Sequence, residues 1–226
     1  MPRTRPGLDR PTIVAAALET LDERGLDGLS SRDVARRLGV QQPALYHHFR
    51  SKAELLSAVA AEVLDRGHTD RLPESGEPWD AFLLRNARSL RRAMLAVRDG
   101  ARLIASTGPR APNLANSVAQ VAHLEAQGFD GTDAVLAFIA VSRYTIGATL
   151  EEQSAPGEAA FVADDGAGSD AGAGSGTSGD AGVEGAGVEG AEHLVAVVRA
   201  VADLGPEHEF DVGLTALVRG LAPSDG

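Results

Sequence analysis

The stretch SSRDVARRLGVQQPALYHHFRSKAE, residues 30–54, decides the fold. Ser30 or Ser31 suits a helix N-cap, since a side-chain oxygen there can accept from an otherwise unpaired backbone N–H. The helix that follows turns Val34, Ala35 and Leu38 to one side and stops at Gly39. A second, short helix begins at Gln41 or Gln42, with Pro43 tolerated in its first turn. Ser51 then caps another helix, with Glu54 at the capping-box position. A small residue within Val34–Ala35, a glycine at the turn and an apolar anchor at Leu45 are the spacing of a helix-turn-helix. In that motif the second helix lies in the major groove of DNA. The side chains offered to base edges are Gln41, Gln42, Tyr46, His47 and His48, and a glutamine can bond adenine twice. Ser31 and Arg32 open the preceding helix, and an arginine can bond guanine twice. Ser51 and Lys52 suit phosphate contacts at a helix start. Leu45 and Phe49 read as core of the small head. His47 and His48 are adjacent, so on a helix they point about 100° apart and do not readily chelate a metal.

Working outward, Ile13, Val14, Ala17, Leu18 and Leu21 form one face of an N-terminal helix, for which Gly25 is a natural stop. Residues 1–9 read as a flexible basic arm. The chain carries a net charge of -11, which is unusual for a DNA binder. The charge is unevenly spread: residues 1–52 hold nine Lys and Arg against six Asp and Glu. A basic head on an acidic body can still meet DNA, because screening confines charge effects to about 10 Å. No cysteine is present, which excludes disulfides and thiolate metal sites. No signal-peptide pattern or uninterrupted apolar run of about 20 residues stands out, so a soluble cytoplasmic protein with no membrane partner is expected.

The reading is therefore all-α: a three-helix helix-turn-helix head with its connecting helix over 10–70, and a helical ligand-binding and dimerisation domain over 71–226. In the latter, Trp79, Phe82, Leu83, Leu90, Met94 and Val97 line one helix. Val135, Phe138, Ile139, Ser142, Ile146, Thr149 and Leu150 line a second, near 131–152. Phe210, Leu214, Leu217, Val218 and Leu221 line the last. The second and last of these are expected to pair with their symmetry mates in a homodimer. Residues 156–190, rich in Gly, Ala, Ser and Asp, read as a disordered loop.

LSSRDVARRLGVQQPALYHHFRSKAELL resembles the head of the tetracycline-repressor family. The resemblance implies that Arg32, Gln42, Pro43, Ala44, Tyr46 and His48 face bases or backbone and that Lys52 contacts phosphate. It narrows to the tetracycline-responsive members through LDRGHT, WDAFLLRNARSLRRAML, VRDGARL, AQGF and TIGATLEEQ, within residues 8–153. By position it implies a ligand pocket containing His68, Asn86, Thr107, Gln120 and Glu151, the last reaching across the dimer. Leu90 and Ile104 are departures within that pocket. Those relatives hold a ligand-bound magnesium through a histidine where this chain has Ile104. Leu90 replaces a phenylalanine, and Gly108 replaces an arginine. No metal or other cofactor is therefore expected, and the implied effector is a small amphipathic, polycyclic, antibiotic-like molecule that releases a repressor from a palindromic operator. Asn86 carries a chemical argument of its own. On an apolar face its amide needs a partner, from protein or ligand, because an unpaired one costs about 1–3 kcal/mol.

Other readings stay open from the residues alone. A magnesium–tetracycline complex remains an alternative effector, since magnesium prefers oxygen and does not require imidazole. A ligand-independent DNA binder would need the large domain only for dimerisation, and activation is as compatible with the motif as repression. An enzyme using His68, Asn86 and Glu151 has no nucleophile motif, phosphate loop or clustered metal ligands to support it.

Overall fold

The structure, a computed structural model, describes residues 8–107, 114–154 and 191–223. Every regular element among them is a helix: α1 (Arg10–Gly28), α2 (Ser31–Leu38), α3 (Gln42–Tyr46), α4 (Lys52–Gly67), α5 (Trp79–Leu95), α6 (Gly100–Ser106), α7 (Leu114–Glu125), α8 (Gly131–Ser154), α9 (Ala191–Ala202) and α10 (Gly205–Arg219). The proposed loop at 156–190 and most of the N-terminal arm lie outside the described residues. The arm's last two residues are ordered, unlike the expectation. Leu8 packs on the core, and Asp9 caps α1 by accepting from the Thr12 N–H at 2.9 Å.

Local chemistry sets the head. Ser30 caps α2, accepting from the Asp33 N–H at 3.2 Å, and Ser51 caps α4, accepting from the Glu54 N–H at 3.1 Å. The Glu54 carboxylate reaches back to the Arg50 N–H at 2.7 Å, one residue earlier than the usual capping box. Gly39 sits at φ 67° in the left-handed region, which turns the chain between α2 and α3. Gly25, at φ 70° and ψ 177°, is non-helical and ends the first part of α1 as its sequence suggests, and a short second part follows to Gly28. A β-carbon at Gly25 would lie 2.7 Å from an Asp99 carboxylate oxygen, whereas one at Gly39 would meet nothing.

Two apolar clusters organise Met1–Ser154 together with Phe210–Gly226, which form one compact unit. The first joins Ile13, Leu21, Val34, Leu45, Phe49 and Val59 of the head to Met94, Ala101, Leu103 and Ile104 of α5 and α6. The second gathers Phe82, Leu83, Leu124, Phe129, Ala137, Phe210 and Leu214. Helix α5 supplies both, so it is buried on more than the single stripe its periodicity suggests; Ala87, Ser89 and Ala93 are buried as well. Each large aliphatic or aromatic side chain fully enclosed here contributes roughly 1.5–3 kcal/mol.

Helix α8 divides the apolar stripe expected to meet a second copy. Its buried residues are Ala134, Ala137, Val141, Thr145 and Thr149, while Val135, Leu136 and Ile139 are exposed. Small and β-branched residues let α8 approach its neighbours, and the bulkier residues are left outside. The two buried threonine hydroxyls are satisfied by donating to the carbonyls of Val141 (2.8 Å) and Thr145 (2.7 Å). By length and composition alone α8 could cross a membrane, with a mean hydropathy of 1.3. Its apolar residues divide instead between a face packed in the core and an exposed face.

The Ala155–Glu209 unit contains α9 and the start of α10. Helix α9 exposes Leu194, Val195, Val197 and Val201.

Substituting either positive-φ glycine tests this account. Gly39→Ala meets no atoms and should cost only the conformational penalty, about 1–2 kcal/mol. Gly25→Ala adds a collision with Asp99 and should cost more. Urea unfolding of the two variants gives the comparison, and the reverse order would contradict the packing at Gly25.

Candidate nucleic-acid interface and effector site

The short α3 is fixed from beneath. Leu45 and Phe49 are each only 2% exposed. Arg10 from α1 lies over the Phe49 ring at 4.1 Å, bonds the His48 carbonyl and pairs with Glu54 at 3.0 Å. The Arg50 N–H bond, and after it the bond from Arg10, hold the Glu54 carboxyl below the usual carboxylate range. With that side anchored, Gln41, Pro43, Tyr46 and His47 are exposed, and Gln42, Ala44 and His48 are half-buried. The Gln42 amide lies 3.4 Å from the Tyr46 hydroxyl, a long contact that keeps the two side chains on the same surface. Arg32 and Lys52 are exposed and Ser31 half-buried. Arg24 and Arg36 both pair with Asp33, at 2.9 and 2.7 Å, so part of the head's positive charge is locally compensated.

A second constellation surrounds residues 68–72, the strap that leaves α4. His68 is the C-cap of α4, its N–H donating to the Leu64 carbonyl at 2.9 Å. Its Nδ1 lies 3.1 Å from the buried Ser89 hydroxyl, and the same hydroxyl accepts from the Asp70 N–H at 3.1 Å. Burial first, then the charge of Arg71, lowers the imidazole pKa to about 4. At neutral pH the ring is therefore uncharged. Asn86, 8% exposed, donates to the Asp70 carbonyl at 3.1 Å. Gln120 donates to the Arg71 carbonyl at 2.7 Å. The partner that the buried Asn86 amide required is thus a backbone oxygen of the protein. The strap is held further by Arg71, whose Nε donates to the His68 carbonyl at 2.7 Å, and by Arg85, which donates to the Leu72 carbonyl at 2.9 Å.

His68, Asn86 and Gln120 are thus brought together on one short segment. Ile104, 7% exposed, belongs to the first apolar cluster, and Leu90 packs half-buried against it. Thr107 ends α6 and donates to the Ile104 carbonyl at 3.0 Å. Glu151 is exposed and stands apart in this chain, whereas its neighbours turn inward. Glu152 pairs with Arg91 at 2.7 Å, and Gln153 accepts from the Ala101 N–H at 2.9 Å. Ser89, Asp70 and Arg71 belong to the same hydrogen-bond constellation, and sequence reasoning missed them. Ser89 and Arg71 sit in ordinary polar surroundings in the sequence, and only the chain's return past α5 gives them partners.

Ile104 offers an alkyl group, and among the described residues no three His, Cys, Asp or Glu side chains are grouped to hold a metal ion.

A short exposed helix held over a buried anchor, and joined to the preceding helix by a tight glycine turn, defines a helix-turn-helix protein. Residues 13–59 match the family of bacterial regulatory proteins described as tetR, and residues 72–171 match the tetracyclin repressor-like C-terminal domain. The chain is 44% identical over 214 residues to the class A tetracycline repressor from transposon 1721 of Escherichia coli, covering 93% of this chain and 89% of that one. Its fold is similar to a class A repressor solved with 5a,6-anhydrotetracycline and magnesium, with a TM-score of 0.66, 36% identity and 95% and 98% of the two chains covered. It is also similar to BioQ solved with its double-stranded DNA operator, with a TM-score of 0.57, 35% identity and 65% and 87% coverage. The chain belongs to the tetR family of bacterial regulatory proteins. That family is one of transcriptional regulators, not enzymes.

The buried imidazole gives a pH test. The folded His68 value of about 4 lies below the 6.5 of a free imidazole, so the folded chain binds fewer protons than the unfolded one. The stability this group contributes is complete above about pH 6.5 and declines as pH falls toward 4. His68→Leu should remove that part of the acid sensitivity. Urea midpoints at pH 7 and 4.5 should fall further in the parent protein than in the variant; equal falls would contradict the neutral, buried ring.

Proposed function

We propose that this protein is a homodimeric transcriptional repressor that binds a palindromic operator through α3 and is released when a small molecule binds beside the strap at 68–72. What supports the reading is that a single helix joins the two candidate sites. Helix α4 begins with the phosphate-facing Lys52 and ends at His68, and its 16 residues span about 24 Å. A ligand that shifts its C-terminal end moves the head attached to its other end. A second copy would cover the exposed Val135, Leu136 and Ile139 of α8 and Val212 of α10, and would set the two heads one DNA turn apart. The protein works in the cytoplasm, where its operator lies.

Arg32 and Gln42 read bases, with Tyr46, His47, His48, Gln41, Pro43 and Ala44 completing the surface and Ser31 and Lys52 positioning it on the backbone. The effector is amphipathic and polycyclic, lying against Leu90 and Ile104 with its polar edge toward His68, Asn86, Thr107 and Gln120. Glu151 is supplied by the partner subunit. Although a solved relative binds anhydrotetracycline with magnesium, Ile104 favours an effector recognised without a protein-held metal.

Two experiments test this. In mobility shifts on the DNA upstream of its gene, Arg32→Ala and Gln42→Ala should each weaken specific binding by roughly 1–3 kcal/mol, while Lys52→Ala should weaken all sequences alike and lower the salt slope by about one. A monomeric protein indifferent to that DNA would end the reading. In calorimetry, polycyclic aromatic compounds should bind equally well with and without a chelator. Micromolar or tighter binding of magnesium–tetracycline that a chelator abolishes would refute the metal-free effector.

A further inference from the structure

Helix α3 is too short to hold its own position. It has five residues, and its N-cap Gln41 makes no side-chain bond. Helices below about 12–15 residues are marginal in water by themselves. Leu45 anchors α3 from beneath, which leaves its tilt about that anchor to be fixed from elsewhere. The C-terminal end is held by Arg10, 38 residues earlier in the chain. Its Nη1 donates to the His48 carbonyl and, at 3.0 Å, to the Glu54 carboxylate of α4. The guanidinium also lies 4.1 Å from the centre of the Phe49 ring. Glu54 in turn takes the Arg50 N–H at 2.7 Å. One side chain from α1 therefore spans the end of α3, the turn after it and the start of α4. We infer that Arg10 is a positioning residue for base reading, which sets the tilt of α3 through the His48 carbonyl and does not itself touch DNA.

The role rests on the operator reading proposed above and adds a residue outside its contact surface. The backbone beneath Arg10 is fixed: Leu8 packs on the core, Asp9 caps α1 through the Thr12 N–H, Pro11 occupies the first turn, and Ile13 and Val14 are buried. A planar guanidinium can give its edge to two oxygens while its face covers a ring, which an ammonium group cannot do. Positive charge is also favoured at the C-terminal end of a helix. A small tilt about Leu45 carries Gln42 and the His47–His48 end in opposite directions. Paired hydrogen bonds to a base edge tolerate little of that movement. Ser31 and Lys52 lie on α2 and α4, so backbone contacts made there survive a tilt of α3. Loss of Arg10 therefore costs discrimination between sequences before it costs attachment to DNA.

The test compares two duplexes. One is the stretch of upstream DNA that the full-length protein protects from cleavage, and the other has the same composition in scrambled order. Arg10→Met keeps a long apolar stem and removes the guanidinium, and Arg10→Lys keeps the charge. Arg10→Met should lower the ratio of the two affinities roughly tenfold, the scale of one charge-assisted hydrogen bond, with the salt slope on scrambled DNA as in the parent. Arg10→Lys should recover little of that ratio. A salt slope lower by about one on both duplexes in Arg10→Met, restored in Arg10→Lys, would mean a direct phosphate contact and overturn the positioning role. Equal losses on the two duplexes at unchanged slope would overturn it too, since a smaller folded fraction cancels in the ratio. An unchanged ratio does the same while leaving the repressor reading in place. A parent protein that prefers neither duplex removes the repressor reading itself.

Discussion

The head of this protein shares its core with the body. Ile13, Val34, Leu45, Phe49 and Val59 are buried in the same apolar cluster as Met94, Ala101, Leu103 and Ile104. A three-helix unit of about 50 residues encloses too little apolar surface to be robust alone, and sharing a core with α5 and α6 makes up the shortfall. The consequence is mechanical. Close-packed interiors shift between discrete arrangements and do not deform smoothly, so a change in the body that alters this cluster is felt beneath α3.

Polar contacts reinforce that junction at a single corner. The bend between the two parts of α1 is held by the Asp99 carboxylate, which accepts from the Leu26 N–H at 2.7 Å, and by Arg102, which grips Asp27 with two bonds of 2.7 Å. Asp99 adopts a left-handed φ of 54° to do this. Conformational strain of this kind is held only where the surroundings over-determine it. The Arg102 bond holds the Asp27 carboxyl below its usual range, although both groups are solvated and the pair adds little stability by itself. Its value is geometric: α6, which carries Ile104 and ends at Thr107, is tied to α1 at the edge of the DNA-binding head.

The second junction is polar throughout. Residues 68–72 leave α4 without regular structure, so their backbone groups must find side-chain partners or water. Asn86, Ser89, Arg85 and Gln120 provide them. An apolar junction would be held by many weak contacts and would resist small ligands. A junction held by a few directional bonds can be reset by a molecule that offers better partners, which is the kind of differential interaction a ligand needs to shift a conformational equilibrium.

Much of this was legible in the sequence, because it depends on neighbours along the chain. Ser30, Gly39 and Ser51 act through groups within a few residues, so capping and turn chemistry identified the helix-turn-helix directly. The alternation of Leu45 and Phe49 with Gln42, Tyr46 and His47 separated anchor from surface for the same reason. Periodicity was less informative for α5 and α8. Helix α5 is enclosed by two clusters, and α8 buries its small residues while its larger ones stay exposed, so size and hydrophobicity did not reveal which face packs inward. Asn86 could be recognised as needing a partner, but not which one, since the Asp70 carbonyl comes within reach only after the chain folds back along α5. Sequence therefore determined the helices, their caps and the DNA-facing motif, all short-range consequences of residue type. Tertiary structure alone decided that head and body share one core and that Asn86 and Gln120 hold the carbonyls of residues 70 and 71, because both depend on contacts between segments far apart in the chain.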